Sequence, residues 1–242
     1  MGLETSGAPK ASGLKTALDT IVAPKEAFES LRAAPTWGWA LLLTIVLYAV
    51  ASYLMTPAIL HATQSDWPRV VAENPRLAAA TPDEQQKYLT ISLGFVRWVW
   101  VIAPIIALIA MLVQSVVMLI FKTLGKGDAP FRTLWATAAN VALPVLALNA
   151  LITAIIVIVR GADSFNSQAE VQTAMPSLAL LVPASAVKLH AFLAAFNPFT
   201  LWGCGLTIGA MVVVARVSRG WAWATGIAGL LVAAGLIAMA AR

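Results

Sequence analysis

The residues of this chain best placed to do chemistry are three carboxamides set inside long apolar runs. Gln114 interrupts one run, and Asn140 and Asn149 interrupt the next. An amide in hydrocarbon can bond a neighbouring helix, worth roughly 0.6–2 kcal/mol, or it can line a polar path for a solute. No Asp, Glu, Lys or His lies deep in any of the runs. A proton relay of the kind that drives coupled transport therefore has no candidate, and structural bonding is the favoured reading of all three amides.

The remaining reactive residue types are scattered. His61 and His190 stand alone without metal-ligand spacing, and Cys204 is the sole cysteine, which rules out an internal disulfide or a cysteine-built zinc site. Gly125-Lys126-Gly127-Asp128 lacks the spacing of a phosphate loop and reads as a tight turn. With no Gly-x-Ser-x-Gly, no His-Glu-x-x-His and no nucleophile–base pair, the chain is expected to be non-enzymatic, without catalytic residues, metal or cofactor.

The elements that hold these residues are transmembrane helices. Of 242 residues, 60% are hydrophobic and 11% charged, against about 25% charged in a soluble domain. About 20 helical residues cross a hydrocarbon core of about 30 Å. Five stretches suffice: about Trp37 to Leu60, Phe95 to Phe121, Thr133 to Val159, Pro198 to Ala215, and Trp221 to Ala240. The expected fold is an all-α polytopic membrane protein. Residues 1–34 form an N-terminal segment and 35–242 a five-helix membrane domain. Leu178 to Val187 is too short to span, contains Pro183, and reads as interfacial or re-entrant.

Basic residues set the expected orientation. With the N-terminus inside, Lys10, Lys15, Lys25, Arg32, Lys122, Lys126, Arg132, Arg216 and Arg219 are cytoplasmic. Arg69, Arg76, Lys87, Arg97, Arg160, Lys188 and Arg242 fall outside, in longer segments that also carry acids. Two very short inner loops hold five of the inner cations, and short loops weigh most. The net charge of +5 is thus a topology signal, and no nucleic-acid partner is expected. Trp37, Trp39, Trp98, Trp100, Trp221 and Trp223 mark the interfaces. Lys10, Asp19, Glu26, Glu29 and Arg32 interrupt any signal-peptide core, so the first span is expected to direct insertion. The opening Met-Gly-Leu-Glu-Thr-Ser fits the loose myristoylation pattern and is discounted.

Local signals refine the helices. Leu14, Leu18 and Ile21 share a helical face, as do Ala27, Phe28 and Leu31, and Pro24 suits a first turn; these read as one or two amphipathic helices on the membrane surface. Thr81-Pro82-Asp83-Glu84 is a capping box that starts a helix continuing into the second span. Asn197 caps and Pro198 opens the fourth. Pro104 and Pro144 are expected to kink spans two and three, freeing the carbonyls of Trp100 and Asn140. By depth, Gln114 meets Asn140 about 10 Å from the inner end, and Asn149 reaches the Trp100 carbonyl. Gly205 and Gly209, with Gly226 and Gly229, are expected to pack spans four and five, with dimerisation as the alternative.

The order of these features resembles a known family. Pro24-Lys25-Glu26-Ala27-Phe28-Glu29-Ser30-Leu31 leads into the first span, the turn from Gly125 reaches Phe131-Arg132-Thr133-Leu134, Pro144 interrupts the third, and Phe196-Asn197-Pro198-Phe199-Thr200-Leu201-Trp202 opens the fourth. Over roughly residues 15–240 the chain is similar to the bacterial branch of the Yip family, whose eukaryotic relatives interact with Ypt/Rab GTPases. The resemblance implies five spans, a cytoplasmic N-terminal region and no catalytic residues. The Asp-Leu-Tyr-Gly-Pro type motif of eukaryotic members is absent.

The resulting expectation is a scaffold, adaptor or membrane-organising protein of a bacterial inner membrane, with its C-terminus outside. It would contact lipid and a protein partner through Phe28, Leu31, Lys126 and Arg132. The alternative is a transporter or transport-accessory subunit built on spans two and three.

Overall fold

The computed structural model describes residues 12–183 and 186–241; the opening hexapeptide, Lys10 and Arg242 lie outside the described residues. Two short helices lead in, α1 (Gly13–Val22) and α2 (Pro24–Ala33), followed by the long α3 (Gly38–Ser65). On the far side α4 (Trp67–Glu73) and α5 (Pro75–Ala78) precede α6 (Pro82–Leu124). Next come α7 (Phe131–Ala142), a π-helical turn (Leu143–Leu148) and α8 (Asn149–Arg160). After α9 (Gln168–Gln172) the chain forms α10 (Val187–Ala194), α11 (Pro198–Val213) and α12 (Arg219–Ala240). Among the described residues there is no strand.

α3, α6, the Phe131–Arg160 unit and α12 are each long and apolar enough to cross a bilayer. The protein is an integral membrane protein, and its apolar helix faces contact lipid. The fourth expected span differs from its sequence outline. α11 has 16 residues, about 24 Å, and falls short of the hydrocarbon. It joins α10 across a 55° bend, so the pair forms either one broken crossing or a re-entrant loop, and the structure has four to five candidate spans. The bend has a local cause: Asn197 accepts hydrogen bonds from the amides of Phe199 and Thr200 at 3.0 and 3.1 Å. Pro198 then starts a new helix without losing a bond.

α6 begins where its capping box places it. Thr81 Oγ1 accepts from the Glu84 amide at 3.4 Å, and Glu84 Oε2 accepts from the Thr81 amide at 2.8 Å. The helix runs unbroken through Pro104 for 43 residues. Pro144 acts differently: it has no N–H for the Asn140 carbonyl, which instead takes the amide of Leu143 at the end of α7. The helix widens to a π turn and resumes at Asn149.

Buried hydroxyls cost little because they close on their own helix. Thr44, Ser115 and Thr137 each donate to the carbonyl four residues back, at 2.7–2.8 Å, so they pack as apolar groups. α1 uses the same device: Thr16, Ala17 and Thr20 face inward, while Leu14, Leu18 and Val22 are exposed. At the opposite end of the bundle His61 Nδ1 donates to the Phe165 carbonyl at 3.0 Å, and the Arg160 guanidinium lies 4.4 Å over the Phe165 ring. Together they pin the 161–166 loop onto α3.

Candidate functional site

The expected contact residues separate into two environments. Lys126 and Arg132 are exposed. Phe28 and Leu31 are 2% and 0% exposed and belong to the main apolar core, with Met118, Leu134, Met211 and Val214. They therefore hold the leader to the bundle and present nothing to a partner. The apolar face of α2, read from sequence as resting on lipid, is covered by α7 and α11.

A polar fastening completes this docking. Arg32, in the last turn of α2, gives a forked pair of hydrogen bonds to Asp128: Nη1 to Oδ1 at 3.1 Å and Nη2 to Oδ2 at 2.9 Å. Its Nη1 also donates to the Val214 carbonyl at 2.6 Å. Arg216 approaches the same carboxylate at 3.9 Å, and the Asp128 amide donates to the Ala215 carbonyl at 3.1 Å. The forked geometry adds direction to the charge pairing. The Arg32 guanidinium and its neighbouring charges hold the Asp128 carboxyl below the usual aspartate range, and Arg32 is raised in turn.

Backbone shape allows this meeting. Lys126 and Arg216 both take left-handed conformations, at φ 54° and 53°, which non-glycine residues adopt at some cost. Between them Gly127 lies so close to the 215–217 segment that a Cβ would sit 2.4 Å from the Ala215 carbonyl oxygen. Neither Asp128 nor Arg32 was singled out by motif or spacing. The available signal was an acid in an otherwise basic, very short loop.

The amides do not pair with one another as depth suggested. Gln114 Nε2 donates to Thr207 Oγ1 of α11 at 3.3 Å. Fully buried Asn140 donates from Nδ2 to the carbonyls of Thr36 and Ala136, both at 2.8 Å, tying α7 to the segment before α3. Its Oδ1, Thr36 Oγ1 and Asn149 Oδ1 are buried without partners, and among the described residues Asn149 Nδ2 makes no hydrogen bond to the Trp100 carbonyl. Depth ranks residues along a helix axis, but rotation decides which neighbour they meet.

The small residues also divide. At Gly226 a Cβ would meet Ile208 at 2.6 Å and the Cys204 carbonyl at 3.0 Å, so α12 crosses α11 there as expected. Gly229 instead faces Gln114 of α6, Gly209 rests on the Phe28 ring, and Gly205 has nothing within 4 Å. Between α6, α7, α11 and α12 lies a cavity of about 150 Å³, lined by Gln114, Cys204, Thr207, Gly226 and apolar neighbours. Among the described residues no cluster of His, Cys, Asp or Glu could hold a metal ion.

Comparison with known proteins places this architecture. No curated protein and no solved structure matches the chain. A family model described as the Yip1 domain matches residues 18–241. That match runs from within α1 to the end of α12, and the chain belongs to the Yip1 domain family of membrane proteins.

Proposed function

We propose that the protein is a non-enzymatic scaffold or adaptor of a bacterial inner membrane, N-terminus cytoplasmic and C-terminus outside. The observation that carries this reading is the Arg32–Asp128 fastening over the buried Phe28 and Leu31. It joins three separate segments, α2 and the loops at 125–130 and 214–218, into one surface. That surface presents exposed Lys25, Glu29, Lys126, Arg132, Arg216 and Arg219, a pattern suited to a charged protein face beside lipid headgroups.

Photo-crosslinkers placed at Lys25, Glu29, Lys126 and Arg132 in native membranes test it. One and the same protein should be captured from α2 and from the turn, and Leu31→Asp should abolish capture by releasing α2 from the core. Capture of lipid alone, or of unrelated proteins by the two segments, would contradict the adaptor role.

The cavity of about 150 Å³ beside Gln114 and Thr207 supports a second reading, a subunit that assists transport. The cavity's lining is mostly apolar, with Gln114 and Thr207 among its polar groups, so an apolar solute suits it better than water. Loss of solute flux in a stable Gln114→Leu protein would favour that reading over the first.

A further inference from the structure

α6 is too long for its membrane. Its 43 residues extend about 64 Å at about 1.5 Å each, against about 30 Å of hydrocarbon and about 40–45 Å with headgroups. Lys122 marks one boundary; about 20 residues back, near Ile102, the hydrocarbon ends. The helix before Trp98 therefore projects through the headgroups into water.

One face of the helix ignores that boundary. Tyr88, Ile91, Phe95 and Trp98 are each more than half exposed, and so are Ile105 and Ile109 inside the bilayer. Their spacings of three, four, three, seven and four residues follow a heptad, and a further seven reaches Val116. This face points away from the Val96, Ala103, Ala107 and Met111 side that is buried in the bundle. Lipid can cover the inner part of the stripe but not Tyr88 and Ile91, which lie outside even the longer span that starts at Phe95. Isolated exposed apolar residues need no explanation, whereas a continuous stripe in water does.

We propose that this stripe is the interface between two copies of the chain, packed α6 against α6 as a parallel coiled coil. Both copies insert with the same orientation, which makes the two α6 helices parallel. A two-fold axis along the membrane normal then brings each residue of the seam to its own counterpart. The residues suit a packed seam: Ile102, Ile109 and Val116 fall at one core position, and Ile91, Trp98, Ile105 and Leu112 at the other. Together the half-exposed side chains of the stripe offer roughly 800 Å² per copy, comparable to the about 800 Å² per partner of a stable interface. Glu84, at the next heptad position outward, is already engaged in the capping box, so the seam begins one turn inside it.

Single cysteines in a Cys204→Ser background provide the test, oxidised in native membranes at Ile91→Cys, Phe95→Cys, Ile105→Cys and Ile109→Cys. Arg97→Cys and Gln86→Cys, exposed but off the stripe, are the controls. Disulfide-linked dimer at the four seam positions and none at the controls is the expected result. Ile91→Glu combined with Phe95→Glu should abolish the dimer seen by photobleaching in nanodiscs while thermal stability is kept, because both side chains are exposed. Cross-linking without heptad period, a monomeric wild-type protein in lipid, or seam cysteines linked to a different protein would each overturn the proposal.

Discussion

Leu31→Asp should release the leader from the bundle. Leu31 is fully buried among residues of α7, α11 and the 214–217 loop. Truncating a buried leucine costs about 2–5 kcal/mol, and an unpaired carboxylate there costs at least as much, because it must either ionise in an apolar site or take up a proton. The expected result is faster proteolysis between α2 and α3 and a loss of at least about 3 kcal/mol, while the spans still insert. Glu29→Ala, in the same helix but exposed, should leave both readouts near wild type. A folded, protease-resistant Leu31→Asp protein would mean that α2 does not pack where the structure places it.

Gly127→Ala and Gly205→Ala should change stability in opposite directions. At Gly127 the new methyl meets a backbone carbonyl at 2.4 Å and Val217 Cγ1 at 2.8 Å. Backbone cannot step aside as a side chain can, so overpacking of about 1–3 kcal/mol is expected. The loss should include the Asp128 amide bond to Ala215, which the shift would break. At Gly205, mid-helix with open space around it, alanine gains up to about 1 kcal/mol of helix propensity. Thermal unfolding of the two variants in one detergent checks the signs. Equal destabilisation would show instead that Gly205 contacts something absent from the single chain.

Much of the fold could be read locally, because its signals are local. The Thr81 box and the Asn197-Pro198 start are decided within four residues, and each occurs in the structure where the sequence placed it. Long apolar runs announced the spans for the same reason. What escaped were properties set by rotation or by distant segments. Amphipathic spacing identified Phe28 and Leu31 as a face but could not say whether lipid or α11 covers it. Equal depth suggested Gln114 beside Asn140, but their helices present them to Thr207 and Thr36 instead. Pro144 signalled a disturbed helix, but the form of the disturbance, a π turn over Leu143–Leu148, has no local signature in the sequence. The Arg32–Asp128 pair spans 96 positions and has no local signature beyond its charges.

The fastened leader is the centre of this account, and a distance measurement between Glu29→Cys and Lys126→Cys, spin-labelled in a Cys204→Ser protein in lipid, tests it most directly. Both positions are exposed, so labels leave the packing intact. Because Asp128 titrates below its ordinary value of about 3.9, its bond to Arg32 contributes fully above that pH and is lost as pH falls through the lowered value. The account predicts one narrow distance at pH 7 that broadens strongly in Leu31→Asp, and only slightly in Asp128→Ala or as pH falls through the lowered Asp128 value, because buried Phe28 and Leu31 still hold α2. A broad distribution at pH 7 in the otherwise unmodified protein would contradict it.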